Sequence, residues 1–445
     1  MKMFHQKKQL KRKKALHIIF KIFIILLNIN VFLNFLKRAT DKKTTNKTFL
    51  FNNTIEIVNI SNLTSKELEK YYIRKYNISN NISYYPSYKL EDYQKYFNYS
   101  NSGKLLYENN LVYSENPKIS VIIALYNAEK YINSTLISIQ NQKMKDIEII
   151  IVDDNSTDNS VKYVEDAQKK DPRINLYKNK ENMGCFYSKA LAVLKTRGKY
   201  IFLIDHDDQI IIDDLFDVLY EEMEKTNIDI IEYSWFNSPN FNIEQRYFKM
   251  KPLCRHENNK LILQPKLRRR FCRKDNGKFE SQDRYIWGRI IKRTIYIKAL
   301  EMFDKEDLKR RIIIHDDTTI TFMLFKVAIS FKKIEKLGLV HFVYDNSSSA
   351  EKKKFITLKK KNDTCLSYIN FIELVNKYSE NDTLSRQEVF WAFEKWNLIS
   401  ACKHYALIKD RENKLAISLY NDPYIKSFDK FKIKRGGYSN ISYTI

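Results

Sequence analysis

Residues 147–160 read IEIIIVDDNSTDNS. The run Ile147–Val152 is short, apolar and β-branched, and it stops abruptly at Asp153-Asp154-Asn155-Ser156-Thr157-Asp158. A strand with one wet face would alternate apolar and polar residues. A nearly continuous apolar run predicts a strand buried on both faces, as in parallel sheets. Two more runs of this kind lie on either side. Ile119–Leu125 (ISVIIAL) ends at Tyr126-Asn127, and Lys199–Ile204 (KYIFLI) ends at Asp205-His206-Asp207-Asp208. Helical patterning fills the gaps over residues 128–141, 158–170 and 184 to about 195, with Gly184 opening the last helix. Ile174–Tyr177 reads as a further short strand, Asp213–Thr226 as a helix with an acidic start, and Ile228–Phe236 as another strand. Strand and helix alternate, which predicts an α/β fold with right-handed crossovers between parallel strands.

In open α/β sheets ligands sit beyond the carboxyl ends of the strands. Two strands here end in acidic clusters. Crowded carboxylates are costly unless a metal or ligand charge compensates them. Asp205 and Asp207 project to one side of an extended segment, with Asp208 adjacent, so a divalent cation held there could bridge to a diphosphate. Asp154, at the neighbouring strand end, is placed to accept a base N–H.

Three segments together, ISVIIALYNAEKYINSTLISIQNQ, IEIIIVDDNSTDNS and NMGCFYSKALAVLKTRGKYIFLIDHDD, resemble the nucleotide-sugar domain of family-2 glycosyltransferases. The resemblance implies a GT-A fold: a Rossmann-like, mostly parallel sheet flanked by helices. It implies transfer of a sugar from a nucleotide-diphosphate donor, with a UDP-sugar expected, to a hydroxyl of a glycan, lipid or protein acceptor, by a metal-dependent inverting route. By the same resemblance Ala124 and Tyr126 line the nucleoside pocket, Asp154 binds uracil and Asp153 supports the turn. Lys189 stands where the family usually has an arginine near the phosphates, which keeps the charge but loses the bidentate fork. Ala190 stands where an asparagine is frequent. Asp205, Asp207 and Asp208 match the motif for Mn2+ or Mg2+, with Asp207 the first choice as ligand. The alternative is a non-catalytic, membrane-anchored relative that binds a glycan or a partner.

An inverting transferase needs a base to take the acceptor proton. Asp316-Asp317 precede TTITFMLFKVAI, a helical pattern. In the resembled family an acidic pair opening a downstream helix supplies the base, which points to Asp317 and then Asp316. A helix cap explains the same residues without catalysis. Arg268-Arg269-Arg270 reads as a solvated charge run. Tyr285-Ile286-Trp287-Gly288 suits either sugar stacking or a core. Gln387–Trp391 has Phe390 where processive synthases require arginine, so transfer of one sugar or a few is expected.

The chain has 445 residues and a net charge of +25. Residues 1–47 carry thirteen Lys/Arg against Asp41 alone, so about half of that charge is local and a nucleic-acid footprint is not implied. Ala15–Leu36 is apolar and long enough to span a bilayer, after a basic block at 1–14, which makes a signal anchor the first reading beside a cleaved signal peptide and an amphipathic surface helix. Expected from this are a cytoplasmic tail (1–14), a signal anchor (15–36) and a sequon-dense stem (37–116). Expected after these are a nucleotide-sugar core (117–240), an acceptor side (241–345) and a helical C-terminal region (346–445). The sequons, among them Asn46, Asn52 and Asn59, favour a single-pass type II protein with its catalytic domain in the Golgi or ER lumen. The five cysteines form no C-x-x-C pair, which argues against a cysteine zinc site.

Overall fold

The computed structural model describes residues 48–51, 54–57, 64–79, 103–107, 111–238, most of 260–342, and 358–378. The expected anchor at 15–36 and the region after 378 lie outside the described residues. Among the described residues no helix is long and apolar enough to cross a membrane. The chain divides into two compact units, Met1–Leu68 and Glu69–Ile445. In the first, β1 (Thr48–Phe51) and β2 (Thr54–Ile57) pair antiparallel.

The second unit is built on one large sheet. Its strands are β3 (Ile119–Leu125), β4 (Ile147–Asp153), β5 (Ile174–Lys178), β6 (Tyr200–Leu203), β7 (Gln209–Ile210), β8 (Ile230–Ser238) and β9 (Leu261–Leu263). A separate hairpin, β10 (Arg273–Asp275) with β11 (Lys278–Glu280), precedes the last two, β12 (Arg289–Lys292) and β13 (Ser330–Phe342). The order is β5-β4-β3-β6-β12-β8-β13-β7, with β9 also paired to β13. The β5-β4-β3-β6 half is parallel. β12 inserts antiparallel between β6 and β8, and β8 then runs parallel to β13. The expected α/β architecture is present, and parallel pairing is complete only in its first half.

The β-branched runs do what their composition predicts. Every residue of β4 is buried, and only Ala124 of β3 is partly open. Side chains alternate between the two faces of a strand, and two hydrophobic clusters result. Ile122, Ile150, Val152, Ile201 and Leu203 join one; Val121, Ile123, Ile149, Ile151, Tyr200 and Phe202 join the other. Helices Ile132–Gln140, Ser160–Gln168, Cys185–Leu194 and Leu215–Thr226 fall within the segments with helical patterning. Asn227, at φ 51°, ends the last of these in the left-handed conformation common after helices.

The antiparallel join is secured by charge. Glu232 on β8 lies in register with both Arg289 on β12 and Lys333 on β13. Its carboxylate meets Arg289 at 2.9 Å and Lys333 at 2.7 Å, with all three residues buried. Arg270 departs from the solvated charge run expected over 268–270: it is buried, with its guanidinium 5.3 Å from the Phe331 ring centroid.

Candidate active site

β3 and β4 end side by side, with Leu125 opposite Asp153. Each then turns through an asparagine of positive φ, Asn127 at 47° and Asn155 at 64°. Asparagine tolerates this conformation better than most residues because its short side chain bonds locally. The two turns are laced together. Asn127 N–H donates to Ser156 Oγ at 3.0 Å, and Thr157 N–H donates back to Asn127 Oδ1 at 2.8 Å. Ala128 N–H reaches Ser160 Oγ at 2.7 Å. Asp153 accepts from Ser156 N–H at 3.2 Å, so it closes its own turn. Tyr126 stands 41% exposed on this rim.

Asp154 is buried. Its Oδ1 accepts from Asn179 Nδ2 and from Met183 N–H, both at 2.8 Å, and its Oδ2 accepts from Gly184 N–H at 2.8 Å. The carboxylate therefore anchors the loop that launches the helix Cys185–Leu194. Gly184 has φ 91°, and a Cβ there would stand 3.0 Å from the Ile312 carbonyl oxygen. Ile312 O accepts from Phe186 N–H at 3.1 Å, and the Arg311 guanidinium reaches Asn182 Oδ1 at 3.0 Å. The loop is thus tied to the Asp154 strand end on one side and to residues 311–312 on the other.

The third strand end carries the acidic motif. His206 acts as a clasp: its Nδ1 lies 2.9 Å from Ala124 O, and its own carbonyl accepts from Thr135 Oγ1 at 2.8 Å. A carbonyl only accepts, so Nδ1 carries the proton. The chain then enters β7, which pairs antiparallel with the end of β13, Gln209 opposite Val340. That register brings the next residue out on each strand together. His341 Nδ1 lies 3.0 Å from both oxygens of Asp208, and Phe342 N–H donates to Asp208 Oδ1 at 3.1 Å. Burial pushes the His341 imidazole down, but the charges of Asp208, Asp205 and Asp207 outweigh it and lift its pKa to about 9.

Asp205, Asp208 and His341 each offer one ligand atom, all within 4.8 Å of one another. Asp207, the first choice from sequence, is not in that group, and burial pushes its carboxyl up. His341 was not legible in the sequence. A single histidine in an apolar strand carries no signal, and only the β7–β13 pairing brings it to Asp208 across the fold.

Lys189, on the inward face of the helix Cys185–Leu194, binds three carboxylates at once. Its Nζ lies 2.8 Å from Asp316 Oδ2, 2.9 Å from Asp317 Oδ1 and 3.2 Å from Asp205 Oδ1. Its side chain is only 7% exposed. Asp316 and Asp317 open the helix Asp316–Val327, where the helix dipole favours negative charge. Burial lowers the Lys189 pKa, but Asp205, Asp316 and Asp317 together hold it well above the lysine range. Burial pushes Asp205 up, and Lys189 followed by His341 and His206 pull it below the ordinary carboxylate value. Asp317 moves the other way. Burial, helped by Asp316 and Asp205, lifts its pKa to about 8 despite Lys189.

Trp287 is buried and stacks on His341, ring centroids 4.4 Å apart at 19°. Trp235 meets the edge of Trp287 at 4.2 Å, and Gly288 leaves room for the Trp235 indole, which a Cβ would approach to 2.8 Å. The Tyr285–Gly288 motif therefore builds the wall behind His341.

Residues 120–298 match the family described as Glycosyl transferase family 2. This segment is a family-2 glycosyltransferase domain. Asp316, Asp317 and His341 lie beyond the matched residues. An uncharacterized glycosyltransferase, EpsJ of Bacillus subtilis, is 27% identical over 190 residues, 43% of this chain and 52% of that protein. The glycosyltransferase GlyG of Streptococcus pneumoniae is 30% identical over 119 residues, 27% of this chain and 39% of that protein. The chain thus spans about half the length of the first relative and less of the second. A solved structure of S. aureus TarS 1-349 in complex with UDP-GlcNAc aligns with a TM-score of 0.48 at 16% identity, over 67% of this chain and 79% of that one. That likeness is too low to carry an argument.

The relatives correct the expected location. A single-pass type II protein of the Golgi or ER lumen does not fit matches to Bacillus and Streptococcus proteins, whose cells have neither organelle.

Proposed function

We propose that the chain is a metal-dependent, inverting glycosyltransferase that moves a sugar from a nucleoside-diphosphate donor, a UDP-sugar being the first candidate, to a hydroxyl acceptor. The observation that carries this reading is the convergence of two strand ends and a helix start on one ion cluster: Asp205 and Asp208 with His341 on one side, Asp316 and Asp317 on the other, and Lys189 between them.

The donor set suits a divalent cation. Two carboxylates and an imidazole fit Mn2+ better than Mg2+, which prefers oxygen ligands. Asp205, Asp208 and His341 would hold it, and when bound it would supply charge stabilisation to the departing nucleoside diphosphate. In this reading Asp154 and Asp153 shape the strand-end turns beside which the nucleoside lies. Ala124 and Tyr126 form the nucleoside side of the pocket. Lys189 orients the acidic groups rather than meeting phosphate directly, because its ammonium already serves three carboxylates. Asp317 takes the acceptor proton, and Asp316 shares the hold on Lys189.

Loss of a ligand should weaken the metal site selectively. Asp205→Asn is expected to weaken Mn2+ binding, measured by electron paramagnetic resonance, by at least about 10-fold, the lower end of what loss of even an outer-shell partner costs. Mn2+ affinity equal to that of the unmodified protein would remove Asp205 from the metal set.

A further inference from the structure

We propose that the C-terminal helix Leu358–Tyr378, outside the matched family segment, is a positioning element for the candidate base. The inference rests on Asp317 acting as that base. The helix lays a stripe of polar side chains along the segment that leads into Asp316. Ile313 N–H donates to Ser367 Oγ at 2.9 Å, and Asn370 Nδ2 donates to Arg311 O at 3.0 Å. Arg310 Nη1 reaches Glu373 Oε2 at 2.7 Å. Positions 367, 370 and 373 fall on one face of a helix. Ser367 and Asn370 are both buried.

The segment around residues 311–313 is neither helix nor strand, so its backbone polar groups need partners from elsewhere. It finds them on two sides. Ile312 O accepts from Phe186 N–H, while Ile313 N–H and Arg311 O are taken by Ser367 and Asn370. The approach to Asp317 is therefore held between the helix that carries Lys189 and the C-terminal helix. The apolar face of the C-terminal helix, with Ile369, Phe371 and Leu374, joins the same core cluster as Ile320 and Met323 of the helix that Asp316 opens. Farther along, Lys377 pairs with Asp304 at 2.6 Å and with Asp307 at 2.5 Å, and Asp307 in turn holds Arg310 at 2.8 Å. The stripe thus has one end that docks the helix and one end that holds the base segment.

A shift of the base by about 1 Å can cost on the order of 100-fold in rate through lost alignment, without changing donor contacts. The test compares Ser367→Ala and Asn370→Asp with Lys377→Met, which removes the pairs to Asp304 and Asp307 but leaves the Asp307–Arg310 pair and the bonds to residues 311 and 313 in place, and with Asp317→Asn, all in the full chain. The readouts are kcat for Mn2+-dependent nucleotide-sugar hydrolysis, Kd for UDP with Mn2+, and Tm. The expected result is a 10- to 100-fold loss of kcat in Ser367→Ala and Asn370→Asp with UDP affinity within twofold, while Lys377→Met lowers Tm and keeps its kcat. An unchanged kcat in both Ser367→Ala and Asn370→Asp, alongside an inactive Asp317→Asn, would overturn this inference and leave the base assignment standing. Equal kcat losses in these two and in Lys377→Met would overturn it too, by showing a general loosening of the fold. Full activity of Asp317→Asn would instead remove the base assignment itself.

Discussion

Asp317→Asn is expected to lower kcat by about 100- to 10,000-fold while leaving UDP affinity within a few fold, the magnitude typical of a lost general base. The substitution keeps the shape of the side chain and its acceptor oxygen toward Lys189 but cannot take a proton. The separation of effects follows from geometry, since Asp317 shares Lys189 with Asp205 but belongs to a different helix from the strand-end turns. The pH dependence gives a second check. A base must be ionised to act, and Asp317 is lifted to about 8 by burial and by the neighbouring Asp316 and Asp205 carboxylates. The free-enzyme profile, kcat/KM, should therefore rise with pH, pass half its maximum near 8 and level off above that. Steady-state rates between pH 5.5 and 9 measure this limb, and a flat profile would remove Asp317 from the role.

Lys189→Met is expected to cost stability, about 3 kcal/mol at pH 8, near the low end for breaking a buried charge pair because Asp205 remains partly in water. Three carboxylates would be left facing one another without the ammonium that lies between them. The sign with pH can be worked out from the groups involved. In the unmodified protein the raised pKa of Lys189 keeps its contribution fully present below the unfolded lysine value, so it does not vary across the assay range. In the variant Asp205 loses the ammonium that pulls its carboxyl down, and Asp317, already raised by burial, rises further. Carboxyls shifted that way favour folding while protonated, and that benefit is lost as pH climbs through the raised values. The stability deficit should therefore be small at pH 5 and grow toward pH 8. Urea unfolding at the two pH values checks this, with Lys189→Arg as the charge-preserving control. A deficit independent of pH would mean that packing, not charge, is what Lys189 contributes.

The strands could be read from sequence because their cause is local. Short apolar, β-branched runs that stop at polar turns read as buried strands, and β3, β4 and β6 lie where those runs predict. The acidic strand ends were legible for the same reason. What was not legible depends on pairing between distant segments. His341 reaches Asp208 only because β7 and β13 pair in one register. Lys189 stood in the sequence as a phosphate contact, yet its ammonium is directed to carboxylates contributed by a helix 127 residues downstream. Trp287 was equally at home in a core or against a sugar; in the fold it is buried and stacks on His341. The bracing helix at 358–378 announced itself only as helical patterning, because its role lies in which backbone atoms Ser367 and Asn370 meet.

The central claim is that one ion cluster, built from two strand ends and a helix start, performs metal-dependent sugar transfer from a nucleotide donor. The most direct measurement is nucleotide-sugar turnover by the full chain across UDP- and GDP-sugars, with Mn2+ and with chelator. The account predicts release of nucleoside diphosphate from at least one donor, a UDP-sugar first, abolished by chelator. Turnover that is undiminished by chelator, or no binding or turnover of any nucleotide sugar in Mn2+, would contradict it.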